Sequence, residues 1–228
     1  MMRTSVLMAL LMFFSKFSLA TKDVQSLRWG YVNFAPFHYS EDNKVLGSIA
    51  EKIDYIFNKA GIEYSAIEFP NKRVKLYIEQ GKIDFTAVID SFISSPDQFL
   101  KTQRPVYTIN LGAICLKNSH QISSLEHLKD FQLIVMSGYT YGQEKLIDNK
   151  NGFDIAMSAI NHEKAIKALT YKRGDCVLGY QAPFLVEEIK YPKTNFYFYP
   201  IDALPVYLYL NKDVPNASSI MQVINQYN

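Results

Sequence analysis

The sequence predicts an α/β protein of two lobes, each a mostly parallel sheet flanked by helices. Three observations predict it. Strand-like and helix-like stretches alternate along the chain, and the alternation passes through βαβαβ twice. No Pro-, Gly- or Ser-rich linker separates the two runs, so short crossovers rather than a tether join them. The 228 residues are 48% hydrophobic and 20% charged, which is chain enough for one large domain or two small lobes with proper cores.

Taken in order, Leu27–Val32 reads as a strand that ends in the aromatic loop Phe34-Ala35-Pro36-Phe37-His38-Tyr39. Ile49, Ile53, Ile56, Phe57 and Ala60 then fall on one helical face, and Gly61 supplies the stop. Residues 65–69 form a strand closed by Pro70, residues 71–80 a short helix ended by Gly81, and residues 84–89 a third strand. Ser95-Pro96-Asp97 has the residue types of an N-cap followed by Pro at the first helical position. The second run starts with a strand at 109–116, and Ser123 with Glu126 is placed to form a capping box on a helix at 125–129. The apolar strand 133–136 leads into Ser137-Gly138-Tyr139-Thr140 and a further helix. A strand at 153–158, a helix at 162–172 with Ala165, Ile166 and Leu169 inward, a strand at 176–179 and a helix at 181–189 follow. Two strands, 196–200 and 206–210, precede a terminal helix from Ala217.

Residues 1–20 read as a secretory signal peptide: Arg3, an apolar run from Val6 to Phe14, and Ser18-Leu19-Ala20 before cleavage. The apolar run is too short to span a bilayer. Removing this segment takes Arg3 and Lys16 from the 24 basic residues and no acid, so the remainder balances its 22 acidic residues. A neutral chain without a basic run argues against nucleic acid. Cys115 and Cys176 both lie in apolar strand-like runs and are read either as a disulfide, which an exported compartment permits, or as two buried thiols. The four histidines, His38, His120, His127 and His162, lack metal-site spacing and read as surface residues. Neither a metal nor another cofactor is expected, and no G-x-S-x-G, S-x-x-K or H-E-x-x-H motif suggests a hydrolase.

Four motifs resemble a known family. They are Pro36-Phe37 with Gly47-Ser48-Ile49-Ala50-Glu51; Gly81-Lys82-Ile83-Asp84; Arg104-Pro105-Val106-Tyr107; and the later series Ser124-Leu125, Gly138-x-Thr140 and Arg173-Gly174-Asp175. Their order and spacing over residues 24–224 resemble the extracellular solute-binding proteins of the polar amino acid type, the two-lobed clamshell proteins of the bacterial periplasm. The resemblance implies one lobe from residues 21–108 plus 205–228, a second from 109–204, and a ligand site between them. It also implies a periplasmic monomer that closes on a small polar molecule and serves an inner-membrane ABC permease or a sensor protein. Family members usually continue with another helical segment after the one that starts here at Ala217. Alternatives are an enzyme on the same clamshell, such as a cyclohexadienyl-type dehydratase using Asp90 or Glu68, or a ligand-free sensor module.

The candidate ligand-binding residues follow from this reading. Phe37 and Tyr39, in the loop where the family carries aromatics, are expected to stack on the ligand. Tyr139 and Thr140 open the helix after strand 133–136, where free N–H groups seat an anion. Arg73 at the start of the second helix would hold an anionic group, and Asp90, beside Ser91 at the end of the third strand, an amine or hydroxyl. Asp84 and Asp175 match family positions but precede strands, and read as turn formers. By resemblance, Gln98 stands where amino-acid binders carry the Arg that clamps the α-carboxylate. Tyr180 stands where they carry the Asp that accepts the α-ammonium. Both replacements are uncharged near neutral pH, so the expected ligand is uncharged or singly charged and held by Gln98, Thr140 and Tyr180.

Overall fold

The computed structural model describes residues 26–118, 121–143 and 147–228. The expected signal peptide and His120 lie outside the described residues.

Strand β1 (Leu27–Tyr31) is flanked in parallel by β4 (Tyr64–Glu68) and β5 (Phe85–Ile89). Helix α1 (Ser48–Ala60) covers this group because Ile49, Ala50, Ile53, Ile56 and Phe57 recur at helical spacing and are all buried. Gly61 ends α1 in the left-handed conformation, its N–H returning to Asn58. The other end is fixed by the aromatic loop: Pro36 accepts a hydrogen bond from Ser48 N–H, and Phe37 from Ile49 N–H at 2.8 Å. Gly47 makes this approach possible, since its φ is 109° and a Cβ there would lie 2.4 Å from the Pro36 carbonyl oxygen. Between loop and helix, β2 (Tyr39–Glu41) and β3 (Lys44–Leu46) form a small hairpin.

The second half repeats the scheme. Strand β8 (Gln132–Met136) pairs in parallel with β9 (Asp154–Ala159) and β10 (Cys176–Tyr180). Helices α3 (His162–Thr170) and α4 (Gln181–Glu188) pack beside them, α3 capped by the Asn161 side chain on Lys164 N–H at 2.9 Å.

Two long strands weld the halves into one nine-stranded sheet of order β4-β1-β5-β11-β7-β10-β8-β9, with β6 (Phe99–Lys101) also on β11. Strand β7 (Tyr107–Cys115) and strand β11 (Tyr197–Asn211) are antiparallel along most of their length. The residues 206–210 then pair with β5, and α5 (Ala217–Tyr227) packs on α1. Helix α2 (Asn71–Glu79) covers a smaller apolar cluster of Val74, Ile78, Ile83, Phe92, Phe99 and Tyr209. Cys115 and Cys176 stand opposite each other on β7 and β10 and form a disulfide.

Several expectations change. The strands expected at 196–200 and 206–210 are one strand with a bulge between Pro200 and Asp202. The segments expected as helices at 96–98 and 125–129 are short 3₁₀ turns, and Ser124, not Ser123, bonds His127 N–H. After β8 the described chain forms a turn instead of a helix, with Gly138, Tyr141 and Gly142 all at positive φ. His38 is buried and His162 half-buried, so neither is a surface residue, whereas His127 is exposed.

Candidate functional site

A cavity of about 80 Å³ lies between the two halves, at the carboxyl ends of β1, β5 and β10. This is where ligands bind in open α/β sheets, because strand ends and the loops after them converge there. The first half supplies Tyr31, Phe34 and His38 from the end of β1 and its loop, Asn71 and Val74 from α2, and Thr86 to Ile89 from β5. The second half supplies Gly138, Tyr139 and Thr140 from the turn after β8, and Tyr180 from the end of β10. Among the described residues, no Asp, Glu, Lys or Arg lines the cavity.

The polar side chains of the first half are largely tied down. Thr86 donates to the Gly30 carbonyl at 2.8 Å, and the Tyr31 hydroxyl pairs with Ser40. His38 Nδ1 lies 2.7 Å from the Val32 carbonyl, so it donates there, and burial lowers the imidazole pKa to about 4. His38 is therefore neutral near pH 7.

Hydrogen bonds and ring contacts cross between the halves. Asn71 Nδ2 donates to the Gly138 carbonyl at 2.7 Å, and Ser91 Oγ pairs with Thr140 Oγ at 2.7 Å. Phe34 reaches across to Tyr139, His162 and Tyr180 with ring centroids 5.5–6.0 Å apart. Burial raises the phenols of Tyr139 and Tyr180 above the usual range, and the neighbouring Tyr139 adds to the rise at Tyr180. Both rings stay protonated and uncharged.

Comparison with known proteins agrees with this architecture. The sensor domain of a histidine kinase, described as similar to periplasmic binding proteins, superposes with a TM-score of 0.72 at 14% identity, covering 89% of this chain and 88% of that one. The chain has the two-lobed fold of the periplasmic binding proteins. An ancestral arginine-binding protein bound to arginine gives a TM-score of 0.68 at 20% identity over 89% of this chain and 90% of that one. The substrate-binding protein of an amino acid ABC transporter gives 0.64 at 15% over 89% and 91%. No family model and no curated protein matches the sequence.

Within this binding-protein fold, Tyr139, Thr140 and Tyr180 reach the cavity and the other five candidates lie elsewhere. Phe37 is turned into the core against Tyr107, its carbonyl serving α1. Tyr39 sits in the hairpin opposite Leu46. Arg73 is exposed on α2, two positions past Asn71, which does line the cavity. Asp90 is exposed and held by Lys101 at 2.9 Å and the Tyr209 hydroxyl at 2.5 Å. Gln98 is exposed beyond β5, where its carbonyl accepts from Lys212 N–H. Thr140 lies in a turn, so the helix N-terminus expected to seat an anion is not formed among the described residues.

Sequence reasoning missed Tyr31, His38, Asn71 and Thr86 as lining residues and His162 as the residue stacked on Phe34. Phe34 itself carried a signal, since it shares the aromatic loop with Phe37. The histidines carried none, because burial is not visible in an isolated His.

Proposed function

We propose that this chain is an exported, non-enzymatic solute-binding protein that closes its two halves on a small molecule in the periplasm. The observation that carries the reading is the cavity itself: both halves line it, and both contribute to the contacts that close it. A ligand that touches both halves only in the closed form stabilises that form by its differential affinity, and no catalytic group is needed. The captured molecule is passed to an inner-membrane ABC permease or reported to a sensor protein. The substrate-binding protein of an amino acid ABC transporter and the sensor domain of a histidine kinase share the fold.

The ligand lacks the paired ammonium and carboxylate of a free α-amino acid. A zwitterion enclosed here would bury two ions beside an uncharged lining, at several kcal/mol for each unpaired ion by a rough reckoning. Asp90, the acid among the candidate ligand-binding residues, is engaged by Lys101 and Tyr209.

Thermal unfolding of the purified protein against a broad metabolite panel tests the reading. A ligand at about 100 times its Kd adds roughly 2.7 kcal/mol to stability, a clear rise in the midpoint. Silence across the panel, or turnover of prephenate or arogenate, overturns the binding role. Submicromolar calorimetric binding of a common amino acid overturns the ligand class alone.

A further inference from the structure

Phe34 projects from the loop after β1 into a seat built by the other half of the molecule. Its ring stacks on His162, with centroids 5.6 Å apart and planes 19° apart, and meets Tyr180 edge-on at 5.5 Å and Tyr139 edge-on at 6.0 Å. Tyr139 and Tyr180 touch each other at 5.8 Å, and Tyr141, buried behind them, backs Tyr180 at 6.1 Å. Edge-on and offset arrangements are the favourable ones for aromatic rings, so this seat fits a flat ring better than an aliphatic chain.

The seat is also uncharged. No Asp, Glu, Lys or Arg lines the cavity among the described residues, and burial keeps both His38, which lines it, and His162 neutral by lowering each pKa to about 4. The Nε2 atom of His162 is buried without a hydrogen-bond partner. A buried polar atom of that kind costs about 1–3 kcal/mol until something bonds it, which favours a ligand carrying one hydrogen-bonding group beside its ring.

We propose that Tyr139, His162 and Tyr180 form a receptor for one uncharged planar ring of the ligand, and that Phe34 fills this receptor until the ligand's ring displaces it. The proposal rests on the binding role above and names its ligand class. Volume supports the displacement. The cavity beside Phe34 measures about 80 Å³, whereas a cavity that admits benzene measures about 150 Å³. The Phe34 ring occupies the seat, so a ligand's ring takes that place only when the Phe34 side chain leaves it.

The test uses the purified protein and its Phe34→Ala and Phe34→Leu variants in calorimetry and thermal unfolding. Toluene and phenol serve as minimal uncharged rings, and arginine, glutamine and choline as charged ligands. Removing the Phe34 ring opens its seat, so the variants are expected to bind toluene and phenol about tenfold more tightly than the parent. His162→Phe, which keeps a ring in the seat and removes the unpartnered Nε2, is expected to weaken phenol relative to toluene. Failure of both Phe34 variants to gain ring binding overturns the proposal, as does tighter binding of arginine, glutamine or choline than of either ring. If the parent binds a ringless metabolite at this cleft, the ring receptor falls and the binding role stands. If the Phe34 variants gain toluene while the parent ignores every metabolite, the receptor stands and the binding role falls.

Discussion

Asp84 and Asp175 show how much one carboxylate settles. Each lies within three residues after a glycine and precedes a strand, and each ties that strand to its parallel neighbour. Asp84 accepts the Arg28 backbone N–H at 2.7 Å and grips the Arg28 guanidinium through both oxygens, at 2.9 and 2.7 Å. Asp175 accepts the Gln132 backbone N–H at 2.9 Å. The sequence reading of both as structural turn residues agrees with these bonds, whereas Arg73 and Phe37 illustrate what residue type alone conceals. On α2 a step of two residues turns the side chain by about 200°, so Asn71 and Arg73 face opposite ways. In the aromatic loop, Phe37 N–H bonds Phe34 and the chain folds back so that Phe34 faces the cleft and Phe37 the core. Asp84→Ala removes a buried carboxylate and its bonds to the Arg28 backbone N–H and to a guanidinium that water can then solvate, and a loss of about 1–2 kcal/mol is expected. Urea unfolding at pH 7 measures it, and a loss below about 0.5 kcal/mol, the range of ordinary surface changes, refutes the structural role.

At the scale of elements, β11 is the clearest lesson. Pro200 and Pro205 make residues 196–210 read as two strands, because proline donates no ladder hydrogen bond. The strand continues because a bulge after Pro200 absorbs the interruption there, and Pro205 keeps its register opposite Thr108. Opposite it, β7 carries Cys115, joined to Cys176 of β10 across a separation of 61 residues. Closing a loop of that length removes denatured-state entropy worth about 4 kcal/mol in the chain-entropy model. Because both cysteines are fully buried, the bond lies inside the second half's core. Reduction under denaturing conditions, or the Cys115→Ala/Cys176→Ala pair, is expected to lower stability by about that amount, with ligand-free folding tested by urea midpoints. Equal midpoints for parent and double variant count against the disulfide as a stabiliser. The turn after β8 teaches the opposite lesson to β11. Its sequence fits a helix start, yet Gly138, Tyr141 and Gly142 adopt positive φ, and Tyr141 is pulled into the core, where its hydroxyl accepts from Met136 N–H.

For the whole molecule, each half holds a neutral histidine near the cleft, the buried His38 in one and the half-buried His162 in the other, both lowered to about 4 chiefly by desolvation. An unfolded histidine titrates near 6.5. Between pH 6.5 and 4 the unfolded chain therefore binds protons that the folded chain refuses, and stability falls as the pH falls, levelling off below about 4. Each histidine contributes up to about 3 kcal/mol to this loss. The His38→Gln/His162→Gln variant is expected to show a shallower fall between pH 7 and 4 in urea unfolding; parallel curves would sink the assignment. Legible in the order of residues alone are the α/β alternation, the doubled βαβαβ plan and the buried faces of α1 and α3. Periodicity and strand-end position are local properties, written in the order of residues. The single sheet made by β7 and β11, the disulfide, the inward turn of Phe34 and the neutral histidines were decided only by tertiary structure. Each depends on which surfaces meet across the cleft and on how much water those meetings exclude, and neither is encoded in any one stretch of chain.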